Sequence, residues 1–262
     1  MNARIRLLAG LTKSKLLLVT LLLLLVSPTN LSAAVVTVNP SADVELSEQQ
    51  ASFPNPSAVT IVAGTQGSSA GGPRNRGLLQ FDLSGQVPAG SSINSVVLSL
   101  NVTRAPAAGV NSNFELYRAL TPWSEAAATW NAPSATASWG APGGLSGTDW
   151  VPLTSGSVPV SGVGTYTFTS NSRLVSDVEA WLANPEANFG WFLMSAGETS
   201  LFTARHFASS ESLTPPVLTI EFTPVPEPAT CMLLATAGLA VLLAKTRRKK
   251  APAAHTITNC DQ

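Results

Sequence analysis

Apolar and polar residues alternate most clearly at 95–102, where Val96, Leu98, Leu100 and Val102 are separated by Ser95, Val97, Ser99 and Asn101. A period of two places the first set on one face of an extended chain, which predicts a strand. Shorter runs of the same kind lie at 58–63, 78–83, 113–120, 164–169, 189–195, 201–207 and 217–222. Segments rich in Gly, Pro and Ser, such as 67–73 and 141–147, fall between them and supply turns. The period changes once. Leu174, Val178, Trp181 and Leu182 recur at helical spacing, predicting a helix over 172–183 that Asn184-Pro185 stops. Many short strands, frequent turn residues and one helix predict an all-β protein, a jelly-roll β-sandwich with the helix over one end.

The two ends follow other rules. Arg4, Arg6, Lys13 and Lys15 precede an apolar run at 16–26, and Ser32-Ala33-Ala34 follows as a small-residue cleavage site. Residues 1–34 therefore read as a secretory signal peptide cut after Ala34. At the other end Pro226-Glu227-Pro228 interrupts the chain, since each ring fixes φ and removes a donor. Residues 229–244 then carry no charge and predict a transmembrane helix. Sixteen residues reach roughly 24 Å, against the ~30 Å of a bilayer's hydrocarbon core. Local thinning and snorkelling of Lys245 make up the difference. Lys245, Arg247, Arg248, Lys249 and Lys250 form a basic stop, which stays in the cytoplasm.

Pro-Glu-Pro, a short apolar helix and a basic cluster, in that order over 225–250, resemble the PEP-CTERM sorting signal of bacterial envelope proteins. The resemblance implies export through the secretion machinery and passing retention in the inner membrane by the C-terminal helix. Processing by a membrane exosortase would follow, with delivery to the cell surface or to an exopolysaccharide biofilm matrix. The family pattern ends just after the basic residues, whereas this chain continues through a tail at 251–262. An ordinary C-terminal membrane anchor is the alternative.

Composition changes once these ends are set aside. The whole chain has formal net charge +0, but nine of its fifteen Lys and Arg lie in the terminal segments. Residues 35–223 hold six Arg, no Lys and thirteen Asp and Glu, a net −7. That sign disfavours nucleic acid as a partner. Both cysteines, Cys231 and Cys260, lie outside this region, so no disulfide supports the fold.

Several stretches of the middle region carry a second resemblance. In order they are A-D-V-E-L from Ala42, R-N-R-G-L-L-Q-F-D-L-S from Arg74, I-N-S-V-V-L-S-L from Ile93 and P-W-S-E-A-A-A-T-W-N from Pro122. S-W-G-A-P-G-G from Ser138, N-F-G-W-F-L from Asn188, F-A-S-S-E from Phe207 and P-P-V-L-T-I-E-F from Pro215 complete the set. Together they resemble the DNRLRE-type domain, a carbohydrate-binding module of the family 96 type, over 35–224. The resemblance implies a jelly roll that binds extracellular or cell-wall polysaccharide.

Sugar binding asks for a flat aromatic against the apolar face of a pyranose, with planar hydrogen-bonding groups around it. All six Trp lie in the middle region. Trp181, on the helix face, and Trp191, between Phe189 and Leu193, read as core. Trp123 and Trp130 read as packing a corner of the sandwich, with Glu125 and Thr129 bonding the turn backbone. Trp139 and Trp150 flank a Gly- and Pro-rich loop and are the candidate platform, with packing the equal alternative. Arg74, Arg76 and Arg205 are candidate contacts to sugar hydroxyls or to an acidic polysaccharide, unless local carboxylates pair with them.

Asp43, Glu45, Asp82 and Asp149 are hard oxygen donors, and Asp43 is the candidate ligand of a structural calcium ion. Zinc fits poorly where there is one His and no Cys. His206, the only histidine of the middle region, reads as packed or surface, and neither G-x-S-x-G nor H-E-x-x-H occurs. The leading expectation is an exported, non-catalytic carbohydrate-binding protein. A structural coat protein is second, and a polysaccharide-cleaving enzyme with two facing carboxylates is third. Cleavage after Ala34 makes Val35 the first residue of the exported protein. N-terminal sequencing of the envelope-associated product checks it, and an uncut Met1 terminus would refute it.

Overall fold

The computed structural model describes residues 32–225, and the proposed signal-peptide body and C-terminal sorting segment lie outside the described residues. Among the described residues the fold has eleven strands and one α-helix. The strands are β1 (Ala34–Val38), β2 (Ala42–Ser47), β3 (Thr60–Thr65), β4 (Arg74–Gln80), β5 (Ser92–Arg104) and β6 (Ser112–Arg118). β7 (Gly156–Val160), β8 (Gly164–Phe168), β9 (Trp191–Ser195), β10 (Arg205–Ala208) and β11 (Val217–Thr223) complete them, with α1 (Ser172–Ala183) between β8 and β9. Among the described strands every pairing is antiparallel. The all-β expectation is met by a curled sheet folded into two layers.

Layer one is built on β5. Leu98 pairs with Leu218 on one edge and with Phe168 on the other, so β11 and β8 flank the strand. β10 continues the β11 edge through Phe207 and Val102. Layer two is built on β4, with β2 on one edge and β9, β6 and β7 in sequence on the other. β3 joins the layers: its first residues pair with β10, and Gly64 and Thr65 pair with β4. β1 pairs with β11, Ala34 opposite Phe222, so the chain enters and leaves this unit on neighbouring strands.

The main core fills the space between the layers. Leu98, Leu100 and Val102 from β5, with Leu218 and Ile220 from β11, face Leu79, Phe114, Leu116, Trp191 and Leu193 of layer two. The alternating residues of 95–102 thus bury the face the sequence assigns to them, each large side chain contributing about 1.5–3 kcal/mol. α1 lies where the sequence predicts it. Its Asn171 cap accepts from the backbone of Arg173 and Leu174, and Leu174, Val178 and Trp181 are buried. Trp181 meets Trp191 edge-on at 4.5 Å. Asp177, also buried, accepts from Trp191 Nε1 at 2.8 Å and from Ser155 Oγ, which pins the helix to layer two.

Three departures have identifiable causes. The run at 201–207 is a strand only from Arg205, because Phe202 turns the chain at φ 65°. β7 escapes the pattern because Gly156 and Pro159 depress strand propensity; it lies at the end of the sheet order, where a missing N–H is tolerated. β9 is buried at all five positions rather than alternately, since both its faces are covered.

Two carboxyls of β2 are placed where water does not reach well. Asp43 is 2% exposed and accepts from Ser210 N at 2.7 Å, yet burial pushes its pKa up to about 7. Glu45 accepts from Val62 N and is likewise pushed by burial to about 7. His206 is held below its usual 6.5, by burial and then by Arg104.

Two outcomes are expected. Gly190 has φ 69°, and a Cβ there would come within 1.9 Å of the Leu79 carbonyl oxygen; Gly85 has φ 70° with nothing within 4 Å. Gly190→Ala should cost about 3 kcal/mol or more, lowering the melting midpoint by roughly 8 °C, and Gly85→Ala only about 1 kcal/mol. Equal shifts in thermal melts would refute the close approach. Secondly, folded Asp43 and Glu45 hold protons that the unfolded chain has released above pH 3.8 and 4.5. Stability therefore falls as pH rises from those values to about 7 and levels off above it, with His206 opposing below 6.5. Between pH 5.5 and 7, Asp43 alone accounts for on the order of 2 kcal/mol. Asp43→Asn should flatten the decline in melting midpoint, and an unchanged slope would refute the assignment.

Candidate functional site

The outer face of layer two decides where a ligand fits. On β4 the alternation that turns Leu79 inward turns Arg74, Arg76 and Leu78 outward. On β9 it turns Phe192 and Met194 outward, and on β6 Glu115 and Tyr117. Most of this face is sealed by the 119–155 connection between β6 and β7. Trp130, Trp139 and Trp150 of that connection form a second core with Val44, Leu46, Leu78, Phe192 and Met194. Asp149, 1% exposed, knots the connection by accepting from Thr121 Oγ1, Gly140 N and Leu145 N at 2.7, 2.9 and 2.7 Å.

The arginines of β4 are stacked into this cover. Arg74 lies over Trp130 at 5.1 Å; Arg76 lies over the same ring at 5.4 Å and over Trp150 at 5.0 Å. Each also forks onto a carboxylate. Arg74 donates to Glu48 at 3.1 and 2.8 Å, and Arg76 to Glu198 at 2.9 and 2.7 Å. A third Arg76 bond, 2.8 Å long, reaches the carbonyl of Gly143. Hydrogen bonding from Arg74 holds the Glu48 carboxyl below its usual range.

The candidate residues therefore divide. Trp139 and Trp150 do not stand free as a platform: they are 5% and 8% exposed, and both pack on Phe192. Trp139 also donates Nε1 to the Thr129 carbonyl at 2.9 Å. The Gly-rich loop between them folds inward, since Gly143 leaves room for the Trp130 ring that a Cβ would strike at 2.6 Å. Arg74 and Arg76 join this cover, Arg74 at Trp130 and Arg76 at both Trp130 and Trp150. Arg205 does not: it is fully buried in layer one and donates to the carbonyls of Phe202, Thr203, Ala204, Val110 and Ser161. Burial lowers its pKa, and it works as a clamp on three loops. Glu125 holds not its own turn but β2, accepting from Asp43 N at 3.0 Å, while Thr129 Oγ1 accepts from Ala132 N within its turn.

The cover stops short of one corner. There a cleft of about 360 Å³ opens between the 119–155 connection and the segment after β9. Tyr117, Trp150 and Met194 give it apolar surface, and Glu115, Glu198 and Ser195 give it acceptors. Tyr117 donates its hydroxyl to Glu115 Oε2 at 2.6 Å; burial first, then that bond, raises the phenol above its usual range. The sequence reading missed Glu115, Tyr117 and Glu198 as site residues. The strand expected over 113–120 already puts Glu115 and Tyr117 on one face, whereas nothing local marks Glu198. A larger concavity of about 620 Å³ lies between the 81–91 loop and the C-terminal end of α1, with Leu83, Val87 and Trp181 in its walls.

Calcium finds a poor fit. Asp43 is enclosed, already bonded by Ser210 N, and next to Glu211 and Glu125, which reinforce its raised pKa. Asp149 is committed to its loop and Asp82 to Ser84 N. Among the described residues no group of three or more His, Cys, Asp or Glu is placed to hold an ion.

Two family models match the chain. One, carbohydrate-binding module family 96, covers residues 34–151, from β1 through most of the tryptophan-bearing connection. The other, the PEP-CTERM protein-sorting motif, covers residues 224–249. No curated protein matches the chain. Tyr117, Glu115 and Trp150 fall inside the first match, and the run from Pro226 to Lys249 inside the second. The two matches together support a PEP-CTERM protein that carries a carbohydrate-binding module.

Proposed function

We propose that the protein is an exported, non-catalytic carbohydrate-binding protein whose glycan lies in the cleft at the open corner of layer two. One juxtaposition supports this reading. The half-buried ring of Tyr117 and the edge of Trp150 stand against the carboxylates of Glu115 and Glu198, on a face sealed elsewhere. A pyranose presents an apolar C–H face and a rim of hydroxyls; the aromatics meet the first and the acceptors the second. The Arg76 stack and the Arg76–Glu198 fork hold Trp150 and Glu198 in place before a ligand arrives, which limits the ordering cost of binding.

Two carboxylates in one cleft are also what glycoside cleavage needs. Here both oxygens of Glu198 are engaged by Arg76, and Glu115 is engaged by Tyr117. Groups so committed keep lone pairs for sugar hydroxyls but are poorly disposed to act as nucleophile or general acid. Binding without turnover is the better-supported role.

In this proposal the signal peptide at 1–34 and the sorting segment at 225–250 deliver a domain at 35–224 to the outer side of the membrane. Exosortase acts on the C-terminal segment, and the domain works at the cell surface or in an exopolysaccharide matrix. A coat protein without sugar affinity is the alternative.

Tyr117→Ala should weaken binding to whichever polysaccharide the wild type retains by on the order of ten-fold, the loss typical of a central aromatic contact. Its melting midpoint should move little, because the ring lies at the rim of the cover. Affinity electrophoresis beside a thermal melt checks both. A folded wild type that no polysaccharide retards would leave the coat reading standing and remove this one.

A further inference from the structure

We infer that two copies of this chain pair edge to edge through β1, antiparallel and centred on Val36, making one continuous sheet of their first layers. This pairing needs no sugar ligand; it follows from the margins of the two layers. Among the described residues β1, β2, β7 and β8 each have a single strand partner. A strand so placed offers unpaired N–H and C=O groups to another chain, and soluble proteins ordinarily blunt it. Three of these four are blunted. Glu125 caps the backbone of β2, accepting from Asp43 N at 3.0 Å. β7 carries Pro159, which has no N–H to offer. The turn at 161–163 folds β8 back beside β7 and donates Ser161 N and Gly162 N to the Tyr166 hydroxyl at 3.2 and 3.0 Å.

β1 has none of these devices. Its sequence, A-V-V-T-V, holds no charge, no Pro and no Gly, and all five residues pair with β11 without a bulge. Ala34, Val36 and Val38 turn toward the main core, while Val35 is 63% exposed and Thr37 is exposed beside it. The strand that fits this edge is uncharged and β-branched, and β1 of a second copy is such a strand. Centring on Val36 sets Val35 opposite Thr37 of the second copy, and Thr37 opposite its Val35. Both outward pairs are then β-branched, a favourable cross-strand combination. The same centre sets Ala34 opposite Val38 of the second copy on the core side. About four to six backbone hydrogen bonds form, according to which alternate residues face outward.

Charge does not oppose the pairing, although residues 35–223 carry a net −7. Glu221, the only charged residue of β1 and β11, lies opposite Val35. In the pair the two Glu221 side chains stand three strand spacings apart, roughly 14 Å. That exceeds the Debye length of ~8 Å at physiological ionic strength. A five-residue edge buries less than the ~1,200 Å² of a stable complex, so the dimer is weak and dissociates on dilution. Cleavage after Ala34 leaves Val35, Val36 and Thr37, the centre of the pairing, in the exported chain.

The test is disulfide trapping in the full chain in mild detergent, with Cys231→Ser and Cys260→Ser as background. Val35→Cys, Thr37→Cys and an equal mixture of the two are oxidised side by side. Opposed positions hold their Cβ atoms about 4.5–5.5 Å apart. Like positions are two residues out of register, beyond the ~7 Å Cα separation that a disulfide spans. The mixture should therefore give about five-fold or more disulfide dimer than either variant alone. Association through the apolar or basic ends does not select a register; equal yields in all three samples, or no dimer in any, overturn the inference. Competition fixes the edge, at concentrations well above half-maximal trapping. An excess of the cysteine-free chain with native β1 should cut the mixed product several-fold. The same excess carrying Val35→Lys and Thr37→Lys, which sets lysines opposite lysines, should leave it unchanged. Equal suppression by both competitors, each melting cooperatively, overturns the assignment to β1.

Discussion

Layer two has two apolar faces, and a sheet exposed on either would not persist as it is. One face is covered by layer one. The other is covered by a connection without regular strands or helices of its own, and the stacking of Arg76 between Trp130 and Trp150 fixes that connection to the sheet. A guanidinium suits this position because its plane lies against aromatic faces while its edge still donates hydrogen bonds. Arg76 uses both properties at once, reaching Glu198 from one loop and Gly143 from another. Loss of this side chain would leave Glu198 unpaired and the rings unsupported, a larger disturbance than loss of any one surface ion pair.

The cleft is a by-product of that arrangement. The cover extends over Val44, Leu46, Leu78 and Phe192 and ends at Met194, so Tyr117 and Glu115 of β6 are left at the margin. A corner made in this way is rigid, because its floor is sheet and its wall is a ring already locked by packing. Its polarity is likewise decided by structure. The arginines that would have made the face basic are turned to holding the cover, and the carboxylates that remain give the corner its acceptors.

Elsewhere, buried polar groups tie loops together rather than build sites. Arg205 gathers five carbonyls from three loops at one end of layer one. Asp177 receives the Trp191 indole and the Ser155 hydroxyl beneath α1. Asp149 closes the tryptophan-bearing connection on itself. Each sits in a cysteine-free domain, where hydrogen-bonded knots do work that disulfides do in many exported proteins. They also explain why candidate ligands of a metal or a sugar turn out to be occupied.

Local pattern was enough for what depends on neighbours in the chain. The period of two at 95–102 and the helical spacing at 172–183 assign faces directly, because a side chain's direction follows from its own backbone. The Pro-Glu-Pro segment, matched by the PEP-CTERM protein-sorting motif over residues 224–249, is legible for the same reason, since a sorting motif is read as linear sequence. What the chain order could not reveal is which polar and aromatic groups meet. Trp139 and Trp150 look like loop aromatics until Gly143 lets their loop fold onto Phe192, and Arg205 looks like its fellow candidates until the layers separate them. Glu198 joins the candidate cleft only because β4 and β9 lie side by side and carry Arg76 to it across more than a hundred residues of sequence. Burial and pairing are properties of the assembled layers, so the linear pattern sufficed for the elements, and only the tertiary structure decided which side chains meet at the candidate site.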